Sequence, residues 1–342
     1  MAHALDGTDV VGAAVAVSVA DAPTRYGAAG LRRVNGDAPL LASDTFHIGS
    51  ITKSVTATLI AVLVDDGTLS WGQTVAEAFP DAHPDWSGVT LEALLSHTAG
   101  VQANAPASVL GARAPETTEC IVTQRHDVAA DALSKPLSHA AGAYRYSNMG
   151  YIIAGAWAEA ASGTDWQILV SERVLGPLGI AHGFGAPRGA NAPFGHTAFG
   201  SKRFPADPEG GAADNAPVVG PAGRLHMTLD GMIAWGRFHL GDGSPLLSGD
   251  ALSDLHTPRL DAGQDLGYAL GWLVDADNPA FGGGPMIWHN GSNLRWTAVL
   301  ILLPDEDAVL TFASNDGDIA ASQGAFFDVA RQVARKEGWA ED

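Results

Sequence analysis

The chain has 342 residues, 46% of them hydrophobic and 17% charged, enough to bury a substantial core and too apolar for a disordered chain. Acids outnumber bases 38 to 19, and the formal charge of −19 repels nucleic acid and anionic lipid while serving solubility. A single cysteine, Cys120, excludes an intramolecular disulfide framework and a thiolate zinc site, and reads as a structural thiol.

No apolar run approaches the ~20 residues that cross a bilayer, so no membrane partner is expected. Residues 1–9 lack the basic and apolar regions of a secretory leader, which favours a cytoplasmic location. In chain order, residues 10–20 (VVGAAVAVSVA) are small, β-branched and apolar, and with residues 27–33 they read as a buried strand and its return. Asp44 is placed to cap the next element. Residues 50–66 (SITKSVTATLIAVLVDD) are mostly apolar and free of Gly and Pro until Gly67, the pattern of a helix buried on most sides. The polar residues Ser50 to Lys53 then stand at the first turn of a core helix.

Residues 71–265 read as mainly helical, with helices over 91–96, 150–162, 166–175 and 228–239. Residues 183–221, rich in Gly, Ala, Pro and Asn, read as a long surface loop. Beyond residue 266 strand character returns, in 286–289, 296–303 and 308–314. Pro304 to Asp307 form a hairpin loop, and a helix over about 320–336 comes after it. Strands at both ends with helices between them predict an α+β fold: one antiparallel sheet from N- and C-terminal segments flanked by helices. The sheet lobe is about 1–75 and 266–342, and a mainly helical lobe, about 76–265, is inserted within one catalytic domain. A cleft is expected at the seam.

Three local patterns carry chemistry. Ser50-Ile51-Thr52-Lys53 is a Ser-x-x-Lys element whose two side chains share one helix face. A partly desolvated amine there takes the proton that an unassisted serine hydroxyl keeps. That pattern alone is common by chance, but a lysine in an apolar helix requires a partner. Tyr146-Ser147-Asn148, at a helix start, supplies candidates, with Ser147 or Asn148 as cap. His289-Asn290-Gly291-Ser292 precedes a strongly apolar strand, and its glycine marks close backbone approach. The N–H groups of Ser50 and Ser292 are candidates for an oxyanion hole.

These elements, in this order, resemble the β-lactamase and D-alanyl-D-alanine peptidase superfamily, most closely its class C-like branch of esterases and D-aminopeptidases. The resemblance runs along nearly the whole chain: Asp44-Thr45-Phe46, Gly49 to Lys53, Leu94-Leu95-Ser96-His97-Thr98-Ala99-Gly100, Tyr146-Ser147-Asn148, Pro221-Ala222-Gly223 and His289-Asn290-Gly291. It implies a β-lactamase/transpeptidase-like fold. It further implies Ser50 as acylated nucleophile, Lys53 and Tyr146 as shared base, and Asn148 as holder of Lys53 and of the substrate amide. His289 stands where the family's Lys-Thr-Gly motif has lysine, and with Lys53 and Tyr146 it is expected to be a catalytic residue that manages the protons. A histidine titrates around pH 6–7 and anchors a substrate carboxylate less reliably, which argues against efficient β-lactam hydrolysis.

The expected substrate is a small-molecule ester, with an amide-cleaving D-amino-acid peptidase, a weak β-lactamase, an acyltransferase and a silent scaffold as alternatives. No cofactor and no metal is expected, since the twelve histidines form no His-Glu-x-x-His pattern. His97 reads as a hydrogen-bonded structural residue, Arg224 and Arg295 as ion-paired, and Trp288 and Trp296 as core. A Gly-x-Ser-x-Gly elbow is absent, and Gly282 to Gly284 precede a strand rather than open a helix, which removes α/β-hydrolase and dinucleotide-binding readings.

Overall fold

The computed structural model describes residues 1–110, 118–189, 192–210, 213–242, 246–261 and 266–340. Its centre is an eight-stranded antiparallel sheet. In spatial order the strands are Arg25–Gly30, Gly12–Val19, Ala308–Ser314, Thr297–Leu303, Met286–Ser292, Leu273–Asp275, Leu266–Tyr268 and Leu260–Asp261. The first strand pairs directly with the last long one, Ala13 opposite Ser314 through Val19 opposite Ala308, so the sheet closes only once both ends of the chain are present.

Both faces of the central strands are covered, and side chains of period two divide between two cores. Ala14, Ala16, Leu300, Leu302 and Val309 join the first core with the Thr52–Asp65 and Leu229–His239 helices. Val15, Val17, Ile301, Leu310 and Phe312 join the second. There the Ile319–Glu337 helix lays Phe326, Ala330 and Ala334, one residue per turn, across the sheet. The Thr52–Asp65 helix is buried from Thr52 through Leu63 and runs on to Gly67, whose φ of 80° breaks it.

Several expectations change. Asp44 caps nothing: its carboxylate accepts from the Arg32 guanidinium and the Leu41 N–H. The Gly49–Ile51 3₁₀ turn feeds the helix instead, without a side-chain cap. Residues 183–221 are not one loop. They contain an antiparallel hairpin, Gly195–Phe199 with Lys202–Ala206, while 190–191 and 211–212 of that segment lie outside the described residues. Cys120 is exposed at the start of a Thr118–Leu133 helix, so it does not pack as a structural thiol. Among the described residues no helix is long and apolar enough to cross a membrane.

Candidate active site

Ser50 sits in the 3₁₀ turn and Lys53 one turn on, in the fully buried start of the Thr52–Asp65 helix. Lys53 Nζ lies 3.0 Å from Ser50 Oγ, 2.7 Å from Asn148 Oδ1 and 2.7 Å from the Ala222 carbonyl oxygen. No carboxylate ion-pairs with it among the described residues, and burial pushes the amine well below the usual lysine range. All three neighbours are acceptors of Lys53 N–H groups when the amine is charged; once it loses a proton, Asn148 and Ala222 account for its two remaining donors and the lone pair is left for the Ser50 hydroxyl.

Ser147 starts the Asn148–Ser162 helix by accepting the Gly150 N–H, as the capping pattern anticipates. Tyr146, just before it, lays its ring 4.8 Å from Lys53 Nζ. Burial pushes its phenol up from the usual tyrosine range, with a contact to Ser50 acting in the opposite sense, so the hydroxyl keeps its proton at neutral pH. His97 holds this segment: its Nδ1 accepts the Ser147 N–H at 3.1 Å and its carbonyl accepts the Arg145 N–H at 2.8 Å. Its backbone is left-handed, φ 63°, and its ring lies within 6 Å of those of Tyr144, Tyr146, Tyr151 and Tyr268. That is the structural role expected of it.

His289 is buried on the Met286–Ser292 strand, with Nε2 3.2 Å from the Tyr268 hydroxyl and Nδ1 2.5 Å from the Asn290 carbonyl oxygen. Both ring nitrogens are engaged. Burial first, then the Lys53 charge, pushes it down to about 3, so the titration around pH 6–7 anticipated from its residue type does not apply. The same strand crosses the 3₁₀ turn at two glycines. A Cβ on Gly291 would stand 1.9 Å from the Ile48 carbonyl oxygen and 2.7 Å from Ser50 N; one on Gly49 would stand 2.3 Å from Ser292 N. Only glycine lets these backbones touch, and the contact brings the N atoms of Ser50 and Ser292 together.

Two cavities meet at Ser50 and Ser292. One, of about 130 Å³, is bounded by the amides of Asn104, Asn148 and Asn215 and by Leu110, Ile152 and Val219. The other, about 380 Å³ and more open, is bounded by Tyr144, Tyr146, Tyr268, Leu273, His289 and Ile319. No charged side chain lines either among the described residues. Asn104, which accepts from Asn148 Nδ2 at 2.7 Å, and the tyrosines Tyr144 and Tyr268 went unread in the sequence, where residues far apart in the chain carry no local signal. Ala222 had one, the Pro-Ala-Gly segment.

The remaining candidates are structural. Arg224 is buried and donates to Asp214 at 2.9 Å. Arg295 was expected to ion-pair; among the described residues it makes no such pair and donates to the Asn293 carbonyl oxygen at 3.3 Å. Trp296 lies in the first core, edge-on to Phe46, and Trp288 packs against the second. No group of three or more His, Cys, Asp or Glu able to hold a metal ion occurs among the described residues.

The Beta-lactamase family model matches residues 1–333. Penicillin-binding protein 4 of Amycolatopsis lactamdurans is 28% identical over 95% of this chain and 85% of its own. The crystal structure of SurE with D-Leu superposes with a TM-score of 0.74 at 26% identity, covering 98% of this chain and 74% of that one. A class C β-lactamase from Rhodobacter sphaeroides superposes with a TM-score of 0.78 at 19% identity over 97% of both chains, which gives the β-lactamase/transpeptidase-like fold. The chain therefore belongs to the beta-lactamase family of serine hydrolases.

Proposed function

We propose that the protein hydrolyses small, uncharged acyl esters through an acyl-enzyme on Ser50. The observation that carries this reading is the amine geometry: Lys53 Nζ, its pKa lowered by burial, stands 3.0 Å from Ser50 Oγ and 2.7 Å from each of Asn148 Oδ1 and the Ala222 carbonyl oxygen, so that loss of one proton frees a lone pair for the serine hydroxyl. As Oγ bonds to the substrate carbonyl carbon, its proton passes to Lys53, and the carbonyl oxygen takes the electron pair beside the N–H groups of Ser50 and Ser292. Collapse expels the alkoxide, which receives a proton from the Lys53 side through the Tyr146 hydroxyl. Water then repeats the sequence on the acyl-enzyme. Asn148 holds Lys53 in line, and His289, neutral and engaged at both nitrogens, forms a wall rather than carrying protons.

Pocket chemistry supports an ester over a carboxylate-bearing amide or β-lactam. The open cavity offers hydroxyls and a neutral imidazole where a substrate carboxylate would need a cation. The less open cavity, about 130 Å³, is slightly smaller than the ~150 Å³ that accommodates benzene, which favours a small acyl group there. A second reading, hydrolysis of a D-amino-acid amide, is favoured by the 26% identity to SurE, whose structure holds D-Leu.

Intact-protein mass spectrometry after brief mixing with p-nitrophenyl acetate, p-nitrophenyl octanoate, D-leucine p-nitroanilide or a penicillin tests both readings. An acetyl adduct on wild type and none on Ser50→Ala, with acetate preferred to octanoate, is the expected result. Faster turnover of the D-leucine anilide would replace the ester reading with the second one. Absence of any adduct would remove Ser50 from the chemistry.

A further inference from the structure

Beside the catalytic cluster lies a buried polar group that takes no part in the proton transfers at Ser50. Asp214, from the segment after the 195–206 hairpin, has a side chain only 7% exposed and is approached on both oxygens. Oδ2 accepts from Arg224 Nε at 2.9 Å. Oδ1 accepts from Asn293 Nδ2 at 2.9 Å and lies 2.8 Å from His47 Nε2. His47 in turn accepts the Gly49 N–H at Nδ1, 3.1 Å away, which puts the ring proton on Nε2, the nitrogen beside Asp214. Burial alone would raise this carboxyl, yet His47, Arg224 and Asn293 together hold it well below the usual carboxylate range.

The attachment points of this group are specific. His47 grips the N–H of Gly49, the residue immediately before Ser50. Asn293 is the residue immediately after Ser292, and its own Oδ1 closes the turn there by accepting the N–H groups of Arg295 and Trp296 at 3.2 and 3.1 Å. One carboxylate oxygen thus touches side chains from both backbone segments that cross at Gly49 and Gly291. The crossing glycines prevent the segments from overlapping further, and Asp214 draws them together from the side. The distance between the N–H groups of Ser50 and Ser292 is set between these two constraints.

We propose that Asp214 is a positioning residue, acting through His47 and Asn293 to fix the spacing of the two backbone N–H groups that receive the carbonyl oxygen of the substrate. This rests on the reading of Ser50 as nucleophile. Transition-state stabilisation by such donors is steep in distance, because they act by being already aimed where charge develops. Asp214→Asn keeps the size of the side chain but not its pattern: an amide has one acceptor oxygen, and its NH₂ must face either Arg224 or the His47 and Asn293 donors. The pair of N–H groups then relaxes apart.

The test is acylation of wild type and Asp214→Asn by p-nitrophenyl acetate in stopped flow, with infrared difference spectra of the ¹³C-carbonyl acetyl-enzyme. The expected result is an acylation rate lower by roughly tenfold to a hundredfold, less than the 10²–10³ of deleting one donor outright. KM should change by less than about threefold, and the acyl carbonyl stretch should move to higher wavenumber as its hydrogen bonds weaken. Phe326→Leu, in the second core on the far side of the sheet, serves as a destabilised comparison and should leave rate and carbonyl stretch unchanged. If Asp214→Asn does not fold, Asn293→Ala removes one donor to the same oxygen and is read in the same way. Wild-type acylation with an unshifted carbonyl in the variant would overturn the inference while leaving Ser50 as nucleophile. Failure of wild type to acylate, or acylation of Ser50→Ala, would overturn the nucleophile reading and this inference with it.

Discussion

Replacing Lys53 by methionine separates catalysis from folding. The substitution keeps the length of the side chain and removes the amine, so the three contacts at 3.0, 2.7 and 2.7 Å disappear together. Stability has two opposed terms. Asn148 Oδ1 and the Ala222 carbonyl lose a donor, at about 1–3 kcal/mol for each acceptor left unpaired. Against that, burial of a polar amine, itself a cost of the order of 2–7 kcal/mol, is no longer required. The terms largely cancel, and at roughly 2–4 °C per kcal/mol the melting temperature should move by only a few degrees. Catalysis has no such compensation. Loss of a positioned general base lowers a rate by about 10²–10⁴, or roughly 3–5 kcal/mol in the barrier. The assay is the p-nitrophenol burst at saturating p-nitrophenyl acetate beside a thermal melt of each protein. A Lys53→Met enzyme that melts like wild type and acylates within tenfold of it would refute the assignment and leave Tyr146 as the group to examine.

The pH dependence of kcat/KM should show one limb, rising with pH through the depressed Lys53 value, and no limb from His289, which at about 3 is neutral throughout the working range. His289→Gln should leave that limb where it is; a limb that vanished would return proton transfer to the imidazole. Stability should fall in acid for a separate reason: His226 and His256 at about 4, and His289 at about 3, lie below the ordinary 6.5, so the unfolded chain binds protons that the fold refuses. Their contribution is complete above pH 6.5 and is lost as pH falls towards 4, at about 1.4 kcal/mol per unit for each histidine. Urea melts should show the slope of ΔG against pH in that window reduced by about one proton in His256→Gln. Gly291→Ala, whose Cβ would meet the Ile48 carbonyl oxygen at 1.9 Å, should lose acylation more than a hundredfold and melt lower, while Gly72→Ala, with no atom within 4 Å, should change neither.

How much of the fold is legible in the sequence depends on how local each signal is. The strands over 297–303 and 308–314 are continuous β-branched and aliphatic runs because both their faces are covered, and they stand out on that account. Ser50 and Lys53 are one helical turn apart, so four residues suffice to place them on one face. The Thr118–Leu133 helix escaped because its buried stripe, Ile121, Val128, Ala129, Ala132 and Leu133, is interrupted by Arg125. That guanidinium is fully buried only because Glu159, on another helix, pairs with it. A charged residue signals solvent until its partner is known.

The site divides in the same way. The Ser50–Lys53 pair is local and legible, whereas the groups packed around it are not. His97, Ala222, Asn104 and Asp214 come from four separate segments, and each acts by a contact to a residue far away in the chain. Asp214 sits among Gly, Ala, Asn and Pro, a composition that correctly signals irregular backbone and says nothing of a buried carboxylate held by Arg224, Asn293 and the His47 ring. Such a carboxylate is costly to bury unless its partners are in place, which requires the Thr45–His47, Met286–Ser292 and Leu225–Thr228 strands, at whose ends His47, Asn293 and Arg224 stand, to have docked first. Asp214 and Ser50 are therefore tied to the same event. A site assembled in this way is competent when the sheet has closed around both ends of the chain and not before, so recovery of acylation during refolding should lag helix formation and coincide with burial of Trp296.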